Sequence, residues 1–161
     1  MGYIIKLMSN LSPRDLITTY LAEAKIIQLA TSKADQPWIC SLHYGADEDG
    51  SMYWISKPTT RHSEDIASNS KVAVTIAVKA ARPLIGIQAE GTAAVIEDPE
   101  ALSSAMEVYI KAQGTDRAFA EQIIAGTNEH KLYKFSPSRF SLFDEVTYSH
   151  QRPQEWVIDH T

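Results

Sequence analysis

"PLIGIQAEGTAAVI", residues 83–96, is the longest strand-like run in the chain, and its reading decides the architecture. Ile85, Ile87, Ala89, Ala93 and Val95 fall on one face and Gln88, Glu90 and Thr92 on the other, the period of two that a half-buried strand requires. Gly86 and Gly91 interrupt this pattern where a side chain would otherwise pack. Glycines inside a long strand mark a bend or bulge, which is what a sheet needs if it is to curl into a barrel.

The neighbouring segments support that geometry. Just upstream, "KVAVTIAV" (71–78) is β-branched and nearly unbroken, predicting a strand buried on both faces. Further back, "KIIQLAT", the turn "SKADQ" and "PWICSLHY" predict two paired strands. In the second, Trp38, Cys40, Leu42 and Tyr44 share one face, and Ile39, Ser41 and His43 the other. "GADEDG" is a hairpin-type loop that leads into "SMYWIS", whose Tyr53 and Trp54 bury aromatic area. Near the end come "KLYKF", "RFSLFDEV" and "EWVI", three further strand-like runs.

Helices are few. Ser12-Pro13-Arg14-Asp15 starts one that presents Leu16, Ile17, Tyr20, Leu21 and Ala24 at helical spacing. Asp98-Pro99-Glu100 starts another, with Leu102, Ala105, Met106, Tyr109 and Ile110 inward and Gly114 as its stop. Short helices are expected at Arg61 to Ala67 and Thr115 to Ala125, with Phe119, Ile123 and Ile124 as packing residues. About eight closely spaced strands with few helices predict a mainly β fold, an antiparallel β-barrel with peripheral helices.

The 161 residues suit a single domain spanning 1–161. A net charge of −5 with dispersed Lys and Arg argues against a nucleic-acid partner. No stretch is apolar enough for a bilayer, and "YIIKLM" is broken by Lys6 without a cleavage site, so a cytoplasmic protein with no membrane association is expected. The single Cys40 excludes an internal disulfide, and His130, His150 and His160 lack ligand spacing, so no metal site is expected.

The densest chemistry lies in "SKPTTRHSEDIA", residues 56–67, where a strand hands over to a helix. Hydroxyls on Ser56, Thr59 and Thr60, the planar donor fork of Arg61 and the positive end of a helix together form an anion cradle. The plainer alternative makes Thr60 a helix cap, Arg61 a solvated charge and His62 a surface residue. His43 admits two readings, a proton donor or an ordinary strand histidine.

The succession of cap helix, "IIQLATSKADQPWICSLHY", loop, "MYWISKPTTRHSEDIASNSKVAVTI", "GIQAEGTAAVIED" and helix resembles the pyridoxamine 5′-phosphate oxidase-like split-barrel family of flavin-binding proteins. Thr60-Arg61-His62, "KLYKFSPSRFSLFDE" and "EWVI" look most like its YhbP-like branch. The resemblance implies a homodimer with FMN in a groove between two barrels. It implies that Ile39, Cys40 and Ser41 run along the flavin ring, that Ser56, Thr60, Arg61 and His62 hold the phosphate, that Gln88 meets the ring edge, and that Trp156 reaches over from the partner protomer. The C-terminal Arg-x-His motif of the true oxidases does not occur here, which argues against vitamin B6 oxidation. The expected function is a flavin-dependent oxidoreductase of unspecified substrate. The alternatives are a non-catalytic flavin-binding or sensing protein and a haem-binding or haem-degrading split barrel.

Overall fold

The computed structural model describes residues 11–149 and 151–158. "YIIKLM", His150 and His160 lie outside the described residues. The first element is helix α1 (Pro13–Glu23), which begins with a reciprocal capping box: Asp15 N–H donates to Ser12 Oγ at 3.2 Å while Ser12 N–H donates to Asp15 Oδ2 at 3.1 Å. Strands β1 (Ile26–Lys33), β2 (Gln36–His43), β3 (Gly45–Ala46) and β4 (Met52–Ser56) follow. Helix α2 (Arg61–Ser68) then leads to β5 (Lys71–Lys79) and β6 (Ile85–Val95). Helices α3 (Pro99–Gln113) and α4 (Arg117–Ile124) precede the long β7 (Lys131–Asp144) and the short β8 (Gln154–Val157).

All pairings are antiparallel, in the order β2-β1-β5-β6-β7-β4-β3, with β8 also on β7. The sheet curls at the glycines of the opening stretch. Register shifts between Ala77 and Lys79 opposite Gly86, and again between Glu90 and Gly91. At the second shift a side chain on Gly91 would meet Ser136 O at 2.2 Å and Pro137 Cα at 2.9 Å, so only glycine lets the two strands approach there.

Two expectations are corrected. "KLYKF" and "RFSLFDEV" are one strand, not two: β7 runs through Ser136-Pro137-Ser138, because Pro137 falls where the strand's edge changes partner. Residues 131–135 pair with β4 and residues 139–142 with β8, and a proline is tolerated at such an irregularity. Strand β5 is also buried on one face only: Val72, Val74 and Ile76 point into the core, whereas Ala73, Thr75 and Ala77 are exposed. Among the described residues, none layers over its second face.

The main core fills the concave side of the sheet with Leu16, Ile27, Leu29, Tyr44, Trp54, Ile76, Ile87, Phe135 and Phe140 under α1. A second cluster on the other side of β4 and β7 joins Tyr53 and Leu132 to Met106, Tyr109, Ala120 and Ile123 of α3 and α4. Adjacent Tyr53 and Trp54 thus serve different cores, as strand alternation dictates. Of the expected helix-packing residues, Ile124 remains 38% exposed. Among the described residues, no helix is long and apolar enough to cross a membrane.

Candidate functional site

Helix α2 is held to β1 by two side-chain ties. Thr31 Oγ1 donates to Asp65 Oδ2 at 2.7 Å in a buried setting, and Asn69 Nδ2 reaches Ser32 O at 3.2 Å and Ser32 Oγ at 3.1 Å. These bonds fix α2, and with it the turn that precedes it, against β1.

The turn before α2 has a layered construction. His62 is buried, and its Nε2 lies 2.8 Å from Ser56 Oγ and 3.1 Å from Thr60 Oγ1. Burial pushes the His62 imidazole below its ordinary pKa, opposed in part by the charge of Asp65. Thr60 Oγ1 is also within reach of Lys57 O at 3.0 Å and Ser63 Oγ at 2.8 Å. Although it occupies the N-cap position, Thr60 makes no side-chain cap bond to the helix. Its hydroxyl is engaged inside the turn, which leaves the first N–H groups of α2 without the usual side-chain acceptor.

Arg61 is exposed, and among the described residues it forms no ion pair. Its guanidinium carbon stands 4.2 Å from the centroid of the Trp38 ring. The turn therefore has two faces: Ser56 and His62 inside, Arg61 and the helix N-terminus outside. That outer face is a donor set with no acceptor supplied by the described residues, suited to an anion.

A groove of about 510 Å³ crosses the convex side of the sheet. Cross-strand register explains its lining. One row runs Ser41, Gln28, Thr75, Gln88, Ser141, Glu155, and the adjacent row runs Ile39, Ala30, Ala73, Glu90, Arg139, Val157. The first row is almost wholly hydrogen-bonding and uncharged. The second begins with small and apolar groups and ends in a charged cluster, with Arg139 at 3.1 Å from Glu90 and 3.9 Å from Glu155. Strand β2 ends the sheet order, so among the described residues one edge of its backbone has no strand partner.

Several expected residues are brought together. Ile39, Ser41 and Gln88 share the convex face, with Ile39 and Gln88 in the groove lining. Arg61 contacts Trp38, which alternation along β2 places with Cys40 on the face opposite Ile39, so within one chain the Arg61 turn and the groove lie on opposite faces of that strand. Cys40 points the other way, half-buried against the main core, where burial pushes its thiol pKa up. Trp156 also leaves the groove: it stacks on Phe140 at 5.1 Å and lies under Arg14 at 5.2 Å, while its neighbours Glu155 and Val157 face outward. His43 is exposed on β2, paired with Ile26. Gln28, Thr75, Arg139, Ser141 and Glu155 join the groove although no sequence motif marks them. Gln28 and Thr75 do interrupt apolar alternation, but only the strand order shows that they are neighbours.

A curled antiparallel sheet with helices at its periphery defines a split β-barrel. The sequence profile of the pyridoxamine 5′-phosphate oxidase family matches residues 14–140. The chain belongs to the pyridoxamine 5′-phosphate oxidase-like family. No curated protein matches the chain. Among solved structures it is similar to a heme binding protein from Mycobacterium smegmatis, with a TM-score of 0.73 at 18% identity over 92% of this chain. The chain spans 59% of that protein's length. It is also similar to General Stress Protein 26 from Bacillus anthracis, with TM-score 0.66, 16% identity, and coverage of 90% of this chain and 98% of that one. A NimC/NimA family protein from Clostridium acetobutylicum gives TM-score 0.65 and 15% identity, covering 90% and 92% of the two chains. These likenesses establish the shared fold.

Proposed function

We propose that this chain is a cytoplasmic FMN-binding split-barrel homodimer that acts as a flavin-dependent oxidoreductase on a small substrate. The observation that carries this reading is the outer face of the α2 turn. Among the described residues Arg61 has no acidic partner there, and beside it the helix N-terminus lacks a side-chain cap, where a dianionic phosphate would be held by charge and hydrogen bonds together. Arg61 and the first N–H groups of α2 would contact the phosphate, with Ser56, Thr60 and His62 supporting the turn from within. Ile39, Ser41 and Gln88, together with unpaired backbone of β2, would line the ring. Bound FMN supplies reversible hydride acceptance, and the protein supplies binding and orientation.

The homodimer is part of the same proposal. Ile26, Ile39, Phe143 and Val157 are 45%, 58%, 41% and 58% exposed, unusually open for large apolar groups on one side of a sheet. A second copy would cover them and close the groove. The Ile39 to Ser41 strand and the Arg61 turn would then serve one cofactor, and the YhbP-like placement drawn from the late segments belongs to this reading.

The test is the absorption spectrum of untagged purified protein, followed by titration of wild type and Arg61→Ala with FMN. A flavin doublet, and an affinity that falls at least tenfold in the variant, are expected. Unchanged affinity removes the phosphate assignment, and a Soret band replaces flavin by haem. Stopped-flow mixing with NADH and NADPH then separates an oxidoreductase, whose bound flavin bleaches rapidly, from a non-catalytic flavin-binding or sensing protein.

A further inference from the structure

Trp38 is the only described side chain with a recorded contact to the Arg61 guanidinium, and the sequence gives it no role beyond a strand face. We infer that Trp38 is a positioning residue: its indole holds Arg61 so that the guanidinium edge, and not its face, is turned to an incoming phosphate. The inference rests on the cofactor reading above and adds a residue to it.

The argument begins with Arg61's surroundings. An exposed arginine without a carboxylate partner ordinarily samples many rotamers, and ordering it on binding weakens affinity. An indole 4.2 Å away lowers that penalty before the ligand arrives. Stacking uses the π face of the guanidinium and leaves its N–H donors at the rim free, whereas an ion pair would consume them. A carboxylate in Trp38's place would neutralise the charge that the site depends on. Indole holds the cation without competing for its donors.

The scaffold makes this contact reproducible. Trp38 pairs in register with Thr31, and Thr31 donates to Asp65, four residues after Arg61 on α2. Arg61 and Trp38 are therefore brought together by a strand pair and a helix tie, both independent of any ligand. Trp38 is 39% exposed at the sheet's end strand, a cost in exposed apolar surface that Arg61 partly covers.

The experiment measures FMN and riboflavin affinities by fluorescence titration for wild type, Trp38→Leu, Trp38→Phe, Arg61→Ala and the Trp38→Leu/Arg61→Ala double variant. Riboflavin lacks the phosphate, so general damage to the ring site weakens both ligands, whereas a misplaced Arg61 weakens FMN alone. The expected result is a loss of about tenfold in the FMN-to-riboflavin ratio for Trp38→Leu. Most of the ratio should return in Trp38→Phe, and the double variant should be no weaker than Arg61→Ala. A ratio that survives Trp38→Leu but collapses in Arg61→Ala overturns the role of Trp38 and leaves the cofactor reading standing. Failure of wild type to prefer FMN, with no effect of Arg61→Ala, overturns both. If Trp38→Leu does not fold, Trp38→Phe decides: an aromatic that restores folding but not the ratio also overturns the inference.

Discussion

Thr31 donates its hydroxyl to Asp65 Oδ2 at 2.7 Å, and both residues are only 3% exposed. The bond joins the strand that carries the sheet's end hairpin to the helix that carries Arg61. Thr31→Val keeps the shape but leaves a buried carboxylate without its recorded donor. It is expected to lower stability by about 1–3 kcal/mol in urea unfolding. FMN affinity should fall with it, because α2 loses the tie nearest Arg61. Asp65→Asn, which can still accept from Thr31, should lose less stability than Thr31→Val.

His62 gives the fold a pH dependence of known sign. Burial is the main cause of its lowered pKa in the folded chain, against an ordinary value of about 6.5. Above that value neither state holds the proton, and the stabilising contribution of the neutral ring is complete. As pH drops below about 6.5 the unfolded chain takes up the proton first, so stability falls with decreasing pH until the folded ring also titrates. Urea midpoints collected from about pH 7.5 to 5 should show this decline. His62→Gln, which retains a hydrogen-bonding group beside Ser56 and Thr60, should flatten it. An identical slope in the variant would assign the dependence to other groups.

Gly91 lies at the register shift between the barrel's two longest strands, β6 and β7. Any Cβ there lies 2.2 Å from Ser136 O, which is backbone and cannot swing away as a side-chain tip would. Gly91→Ala is expected to cost about 3 kcal/mol or more, or to prevent folding, while Gly86→Ala meets only Ile76 O at 3.6 Å and should be tolerated. Thermal unfolding of the two variants side by side checks the contrast.

The difference between these glycines shows where sequence reading reaches its limit. Alternation and glycine position were enough to expect a curling β6, because a strand's period is local. The fusion of the last long runs into β7 was not legible, since Ser-Pro-Ser looks like a break until β4 and β8 are seen on successive parts of one edge. The α2 turn stood out because its donors lie within a few residues of one another. The groove did not, because Gln28, Thr75, Gln88 and Ser141 come from four strands and meet only through register. Trp156 was no easier to place: that its ring stacks on Phe140 follows from alternation along β8 only once the register with β7 is known.

The β5 strand offers the most direct test of assembly. Its composition suits burial on both faces, yet Ala73 and Thr75 are exposed in the single chain, in the middle of the convex groove. If a second copy covers this face, a long charged side chain at Ala73 should prevent association. Within one chain it should do little harm, because it points to solvent and sits opposite Glu90, which can pair with it. Ala73→Arg is therefore expected to stay folded, with a wild-type circular dichroism spectrum, while its unfolding loses the concentration dependence of a dimer. Light scattering should show the particle falling from about twice the 17.9 kDa chain mass to the chain mass itself. FMN affinity should drop in parallel, since half of the proposed groove would be missing. A wild-type chain that runs as a monomer would remove the homodimer, and a dimeric Ala73→Arg variant would move the interface to another face.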